Sequence, residues 1–264
     1  LKIIATAEPP LHALIDAGAL ITGKSNRAVA KFLLENGLEW AEGCVFLDEN
    51  DAQMILMRRG PWEVIPLARV AAMPQSKRFS FYDQVHTTGM DIKQAAASRA
   101  ALTLGKDMTL RDYAQGAWRM RGLGNGQTLE LVITPEVSKL VATEVAIGEG
   151  RLPQTRIAEL QSMTDDEAER MRLRDVLAWL TINTMRAENV QAGLLAEQRA
   201  ANVWRKHAYR LLLERSMTVG SNKCTDETQK CLDVFRERVT FIVQNAIPER
   251  MPASRRLSQL YRQY

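Results

Sequence analysis

Cysteine is scarce in this chain. Among 264 residues there are three, Cys44, Cys224 and Cys231. A sparse, odd count excludes a disulfide scaffold and fits a reducing, intracellular setting, cytoplasmic or nuclear. Histidine is as rare. His12, His86 and His207 are far apart, and none stands beside a cysteine at metal-ligand spacing, so no structural zinc site is expected. No apolar run approaches the ~20 residues of a membrane-spanning helix, and no membrane partner is expected. Aromatic residues make up 6%, and Trp40, Trp62, Trp118, Trp179 and Trp204 are dispersed, which leaves no stacking platform for single strands. Leu1 is not expected to begin a signal peptide, because no basic stretch leads into an apolar one. Leu1 rather than Met stands first and reads as a cut, so the chain is expected to be a piece of something longer.

The composition that remains is globular, with 46% apolar and 25% charged residues and a formal net charge of +4. The charge is uneven. Residues 1–150 carry 16 Lys/Arg against 17 Asp/Glu, and residues 151–264 carry 19 against 14. The basic excess thus belongs to the second half and is mostly arginine. A solvated helical surface is preferred to a nucleic-acid patch as its explanation.

Short apolar runs alternate with helical stretches in the first half. Leu11–Ile15 is an apolar run. Ser25 is placed to cap a helix over Asn26–Glu35, with Ala28, Val29, Phe32 and Leu33 on one face. Strands are expected at Cys44–Leu47, Met54–Met57, Phe79–Tyr82, Leu102–Leu104 and Thr128–Ile133, and a helix at Leu110–Met120. This alternation predicts an α/β fold, a mostly parallel sheet with helices on both faces, over 1–147. Strand signals then vanish. Thr164-Asp165-Asp166-Glu167 predicts a capping box at the start of a helix. Further helices are expected over Leu194–Arg215 and Asp226–Gln244, so residues 148–264 read as an all-helical extension ending in a basic tail.

Gly18-Ala-Leu-Ile-Thr-Gly23-Lys24-Ser25 matches the G-x4-G-K-[ST] pattern of a phosphate-binding loop. In such a loop backbone amides cradle phosphates, the lysine meets the outer phosphate oxygens and the hydroxyl binds magnesium. Cys44-Val-Phe-Leu-Asp48-Glu49 has the look of its acidic companion, an apolar strand ending in a magnesium-binding Asp and a water-orienting Glu. An ordinary strand–loop–helix with a turn at Gly23-Lys24-Ser25 satisfies the same residues.

A longer constellation follows. Phe81-Tyr82-Asp83-Gln84-Val85-His86-Thr87-Thr88-Gly89-Met90-Asp91-Ile92 comes after a strand. Downstream stands Gln115-Gly-Ala-Trp-Arg119-Met-Arg121-Gly-Leu-Gly124-Asn-Gly126-Gln127. The pair resembles the second RecA-like half of superfamily-two helicases and translocases. His86–Ile92 is similar to the Thr/Gly/Asp motif of that half, Gln115–Arg121 to its Gln-and-two-Arg motif, and Arg121–Gln127 to the ending found in Swi/Snf-type remodellers. The resemblance implies ATP with magnesium, shared with an upstream RecA-like half of the same protein. It implies Arg119 and Arg121 as arginine fingers, Gln115 as a nucleotide sensor and Asp91 as the group that orients an arginine. His86, Thr87, Thr88 and Gly89 would lie near the track, a nucleic acid or a polypeptide. Arg119 and Arg121 are two apart, about 200° on a regular helix, so both can face one ligand only if the helix ends there. An amphipathic helix with a surface arginine pair and a glycine-rich cap is the plainer reading.

A wider resemblance covers Ala13–Gly23, Asn26–Leu34, Gly43–Glu49, Phe79–Gln94 and Asp175–Thr184. It points to a group of very large eukaryotic proteins that carry a domain of unknown function and are commonly labelled ubiquitin hydrolases. In that group the phosphate-binding loop lies well upstream, which favours reading this chain as the second half plus a helical continuation. The label implies ubiquitin as an alternative partner and a thiol-dependent ubiquitinyl hydrolase as an alternative activity. Cys44 lies mid-strand, and Cys224 and Cys231 are two turns apart on one helix face, placements that suit packing better than a reactive thiolate. A helicase-like shell that no longer turns over ATP and serves as a scaffold is the remaining alternative.

Overall fold

The computed structural model describes residues 1–218, and the stretch with Cys224, Cys231 and the basic tail lies outside the described residues. Within them the chain divides into two units, Leu1–Asn183 and residues 184–218.

The first unit is built on one seven-stranded sheet in which Ala13–Ile15 (β1), Gly43–Leu47 (β2), Gln53–Met57 (β3), Val64–Pro66 (β4), Arg78–Tyr82 (β5), Arg99–Thr103 (β6) and Thr128–Val132 (β7) take the order β4-β3-β2-β5-β1-β6-β7. Five strands, β2-β5-β1-β6-β7, pair in parallel, while β3 alone runs the other way and pairs antiparallel with both β2 and β4. The fold is therefore α/β with a mixed, mostly parallel sheet. β1 is central, with Leu14 opposite Phe81 on one side and Ala101 on the other.

Helices are Lys2–Ala5 (α1), Asn26–Glu35 (α2), Leu110–Ala117 (α3), Pro135–Gly148 (α4), Pro153–Ser162 (α5) and Asp165–Thr218 (α6). Alternation along each strand sends side chains to two cores. Leu14, Cys44, Phe46, Phe79, Phe81 and Ala101 meet α1 and α2 through Ile4, Val29, Leu33 and Leu34. Ile15, Val45, Leu47, Tyr82 and Leu102 meet α3, α4 and the first turns of α6 through Ala117, Val141, Val145, Val176 and Trp179. A fully buried Trp179 or Phe81 contributes about 1.5–3 kcal/mol or more by area.

Local chemistry sets the helix ends. The Ser25 hydroxyl accepts from the Ala28 amide at 3.3 Å and starts α2. Thr109 and Asp112 form a reciprocal capping box on α3. At α6 the Glu167 carboxylate accepts from the Thr164 amide at 3.2 Å and hydroxyl at 2.7 Å. The stretches read from sequence as separate helices after Thr164 and at Leu194–Arg215 are one continuous helix. No proline interrupts it, and Gly193 costs it only ~1 kcal/mol. A buried ion pair, Arg156 on Asp175, joins α5 to α6, with the Arg156 Nε donating to Asp175 Oδ2 at 3.0 Å.

Candidate functional site

In an open parallel sheet the C-terminal strand ends gather ligands, above all where two neighbouring strands send their connections to opposite faces. Here β1 and β6 are that pair. β1 continues into α2 over one core, and β6 continues into α3 over the other. The two outgoing loops touch through bare backbone. A Cβ on Gly18 would stand 2.4 Å from the Gly105 nitrogen, and one on Gly105 would stand 2.6 Å from the Gly18 oxygen. A cleft of ≈ 410 Å³ opens over this contact, lined among others by Thr87, Thr88, Lys106 and Gln115.

A buried carboxylate holds the floor of that cleft. Asp16 follows the last residue of β1 and is 2% exposed. Its Oδ1 accepts from the Leu20 amide at 2.9 Å and from the Thr103 hydroxyl at 2.7 Å, and its Oδ2 accepts from the Ile21 amide at 2.9 Å. The Thr103 oxygen in turn accepts from the Gly18 amide at 2.9 Å.

This network takes up two amides inside the Gly18–Ser25 stretch expected to form a phosphate-binding loop. A phosphate cradle needs consecutive free amides aimed at one anion. The Leu20 and Ile21 amides are already taken by Asp16. Gly18 lines the switch-point cleft, Lys24 lines another cleft of ≈ 270 Å³, and Ser25 caps α2 while lining a third of ≈ 540 Å³. Gly23 is exposed, with a positive φ of 70° and open space where a Cβ would stand. The segment is folded around its own carboxylate.

Asp48 and Glu49 likewise stand in a hairpin turn. Asp48 Oδ1 accepts from the Asn50 and Ala52 amides, each at 2.9 Å, and so shapes the β2–β3 turn. Both residues line the ≈ 540 Å³ cleft, together with Arg27, Asp83 and His86. Among the described residues no group of three or more His, Cys, Asp or Glu is arranged to hold a metal ion.

The loop from Asp83 to Ile92 runs between the two larger clefts and is fastened along its length. The Tyr82 hydroxyl accepts from the Ile92 amide at 2.9 Å and donates to the Ile92 carbonyl at 3.1 Å, and burial pushes this phenol's pKa up. Gln53 Nε2 donates to the Asp91 carbonyl at 2.9 Å. His86 is buried, with its two ring nitrogens facing Asp83 and Asp51. Thr87 is buried and donates to the Gln84 carbonyl at 2.8 Å. Thr88 and Gly89 are exposed, and Gly89 has φ +82° with open space around it.

Asp91 gathers the two arginines. α3 ends at Ala117, so Arg119 and Arg121 leave regular helix and converge instead of facing apart. Arg121 Nε donates to Asp91 Oδ2 at 2.9 Å and to Oδ1 at 3.1 Å. Arg119 Nη1 donates to the Met90 carbonyl and reaches Asp91 Oδ1 at 3.5 Å. The arginines differ in access. The Arg119 side chain is 10% exposed, and its Nε is buried without a hydrogen-bond partner. The Arg121 side chain is 51% exposed. Gln115 stands exposed on α3 at the cleft edge.

Cys44 is fully buried, and burial pushes its thiol well above the ordinary range. A thiolate nucleophile needs the reverse. His86 is engaged by the two aspartates, not by Cys44.

Sequence reasoning missed Asp16 and Thr103. The signal for Asp16 was present, an acidic residue directly after a buried apolar run and two residues before a glycine, but it fell just outside the phosphate-loop pattern. It also missed Asp51, whose φ of 59° turns its carboxylate onto His86. Compared with protein-family models, with curated proteins and with solved structures, the chain matches none of them.

Proposed function

We propose that this chain is a RecA-like second half of an ATP-driven, helicase-like motor, followed by a helical extension, and that Arg121 is its arginine finger. The single observation that carries the reading is the Asp91 carboxylate holding the Arg121 Nε–H between its two oxygens, beside the Thr87–Gly89 stretch and one helix from a cleft lined by Gln115. A guanidinium fixed in this way needs little reorganisation to meet the charge that develops on a transferring phosphoryl group.

The roles divide by exposure. Arg121 is free enough on one side to reach a phosphate. Arg119, nearly buried, braces the Met90 carbonyl and Asp91, and so acts through its neighbour. The Leu20 and Ile21 amides of the Gly18–Ser25 stretch are engaged by Asp16, which favours a half that closes over nucleotide held elsewhere. Magnesium-bound ATP, gripped by an upstream half of the same protein, would supply the phosphoryl group. The exposed Thr88 and Gly89 would face the track, a nucleic acid or a polypeptide. Such a motor works where ATP is, in the cytoplasm or nucleus.

The test is ATP hydrolysis by the complete protein with and without Arg121→Ala. The reading expects kcat to fall by 10³-fold or more, as for other arginine fingers, with nucleotide affinity little changed. A wild-type protein that hydrolyses ATP equally well without Arg121 would refute it.

A further inference from the structure

His86 sits in a position that a neutral imidazole cannot fill completely. Nδ1 faces the Asp83 carboxylate of its own loop, and Nε2 faces Asp51 Oδ1 of the β2–β3 turn at 2.8 Å. Both partners are acceptors. A neutral imidazole has one N–H and one lone pair, so it satisfies one carboxylate and turns a lone pair on the other. The imidazolium donates to both.

The surrounding charges favour the cation. Asp48 and Glu49 line the same cleft from the β2–β3 turn, Asp83 lines it from the loop after β5, and Arg27 is the one cation among its lining residues, from α2. Further along the loop, Asp91 is already matched by Arg119 and Arg121. The ring ties two elements together. Asp51 belongs to the hairpin turn and has a 72% exposed side chain, whereas His86 is buried at the start of the Thr87–Asp91 stretch.

We propose that His86 is a positioning residue that works as an imidazolium, tying the Thr87–Asp91 loop to the β2–β3 turn through Asp51, and that loss of its proton releases one tie and loosens the loop. The tie stands on its own geometry; its effect on turnover rests on the motor reading of this loop. Burial works against the charged ring, but the hydrogen bonds and charges of Asp51 and Asp83 outweigh it and raise the His86 pKa above its ordinary 6.5. A raised folded-state pKa gives stabilisation that is fully present below pH 6.5 and is lost as pH rises through the raised value. Each unit of elevation is worth about tenfold in the opening equilibrium.

The test uses the full chain labelled with 15N. The His86 ring resonances, identified by their loss in His86→Gln, are titrated from pH 5 to 9. Amide protection over residues 83–92, corrected for the intrinsic pH dependence of exchange, is followed over the same range. The proposal expects an imidazolium below pH 6.5, a midpoint above 6.5, and protection that falls through that midpoint. Asp51→Asn should move both midpoints down together, and ATP turnover by the complete protein should follow the same shift. A ring already neutral at pH 6, or protection that ignores the His86 titration, would overturn it. So would active turnover with a pH profile that Asp51→Asn leaves in place. A coupled titration and protection in a complete protein with no ATP turnover at any pH would uphold the tie and refute the motor reading.

Discussion

Replacing Asp16 by alanine removes the acceptor on which the switch-point floor is built. Three donors lose their partner: the Leu20 amide, the Ile21 amide and the Thr103 hydroxyl. They do not lose equally. Leu20 is exposed and Ile21 half-buried, so water can serve these amides in part, whereas Thr103 is 3% exposed and the carboxylate is 2% exposed. Hydrogen bonds to a charged acceptor are worth about 1.5–3 kcal/mol, and a buried donor left unmet costs about 1–3 kcal/mol. Counting the Thr103 bond fully and the two amides in part gives a loss of about 2–4 kcal/mol. Thr103→Val should cost less, about 1–2 kcal/mol, because it removes one donor to Asp16 and the acceptor of the Gly18 amide while filling the same space. The assay is urea unfolding of the full chain, with Asp107→Ala, an exposed residue of the same cleft, as control. At a slope of about 2 kcal/mol per molar, the Asp16→Ala midpoint should fall by about 1–2 M. A midpoint indistinguishable from that of Asp107→Ala would refute the network as the element that holds the floor.

Two further outcomes are expected. Gly105→Ala forces a methyl against the Gly18 backbone oxygen and should cost about 1–3 kcal/mol in the same unfolding assay. Gly23→Ala, in open space but at positive φ, should cost only about 1 kcal/mol. Cys44 should resist alkylation in the native protein and become labelled only on unfolding, as read by mass spectrometry of its peptide. Native labelling of Cys44 by a ubiquitin-based thiol probe would contradict its burial and favour the hydrolase reading.

Strands whose residues are buried on both faces were legible because a parallel core demands unbroken apolar runs: Gly43–Leu47 and Arg78–Tyr82 coincide closely with the stretches expected at Cys44–Leu47 and Phe79–Tyr82. The Ser25 cap fixed the start of α2 for the same local reason. The edge strand Val64–Pro66 was not legible, since a three-residue antiparallel edge with a proline carries no run. Pro135, just past the strand expected at Thr128–Ile133, is the first residue of α4, where its missing amide costs nothing. In the site, the convergence of Arg119 and Arg121 on Asp91 depends on α3 stopping at Ala117, which the glycines at 122 and 124 suggested. The Gly18–Ser25 pattern is ambiguous for a physical reason. Spacing identifies glycines that let a loop turn tightly, but it does not say whether the amides inside the turn meet a phosphate or a carboxylate of the same chain. Asp16 lies just outside the pattern and takes up the Leu20 and Ile21 amides. The His86–Asp51 contact joins residues 35 apart through a left-handed turn, which no local pattern announces.

The central claim is that Arg121, held by Asp91, serves phosphoryl transfer. Its most direct test is single-turnover ATP hydrolysis by the complete protein, comparing wild type with Arg121→Ala and Arg121→Lys, alongside nucleotide binding measured separately. The account predicts turnover in the wild type, a loss of 10³-fold or more in both variants because a lysine has neither the Nε–H that Asp91 holds nor a planar guanidinium beyond it, and binding that is largely retained. Turnover that survives in Arg121→Ala would contradict it, as would a wild-type protein with no hydrolysis in the presence or absence of nucleic acid.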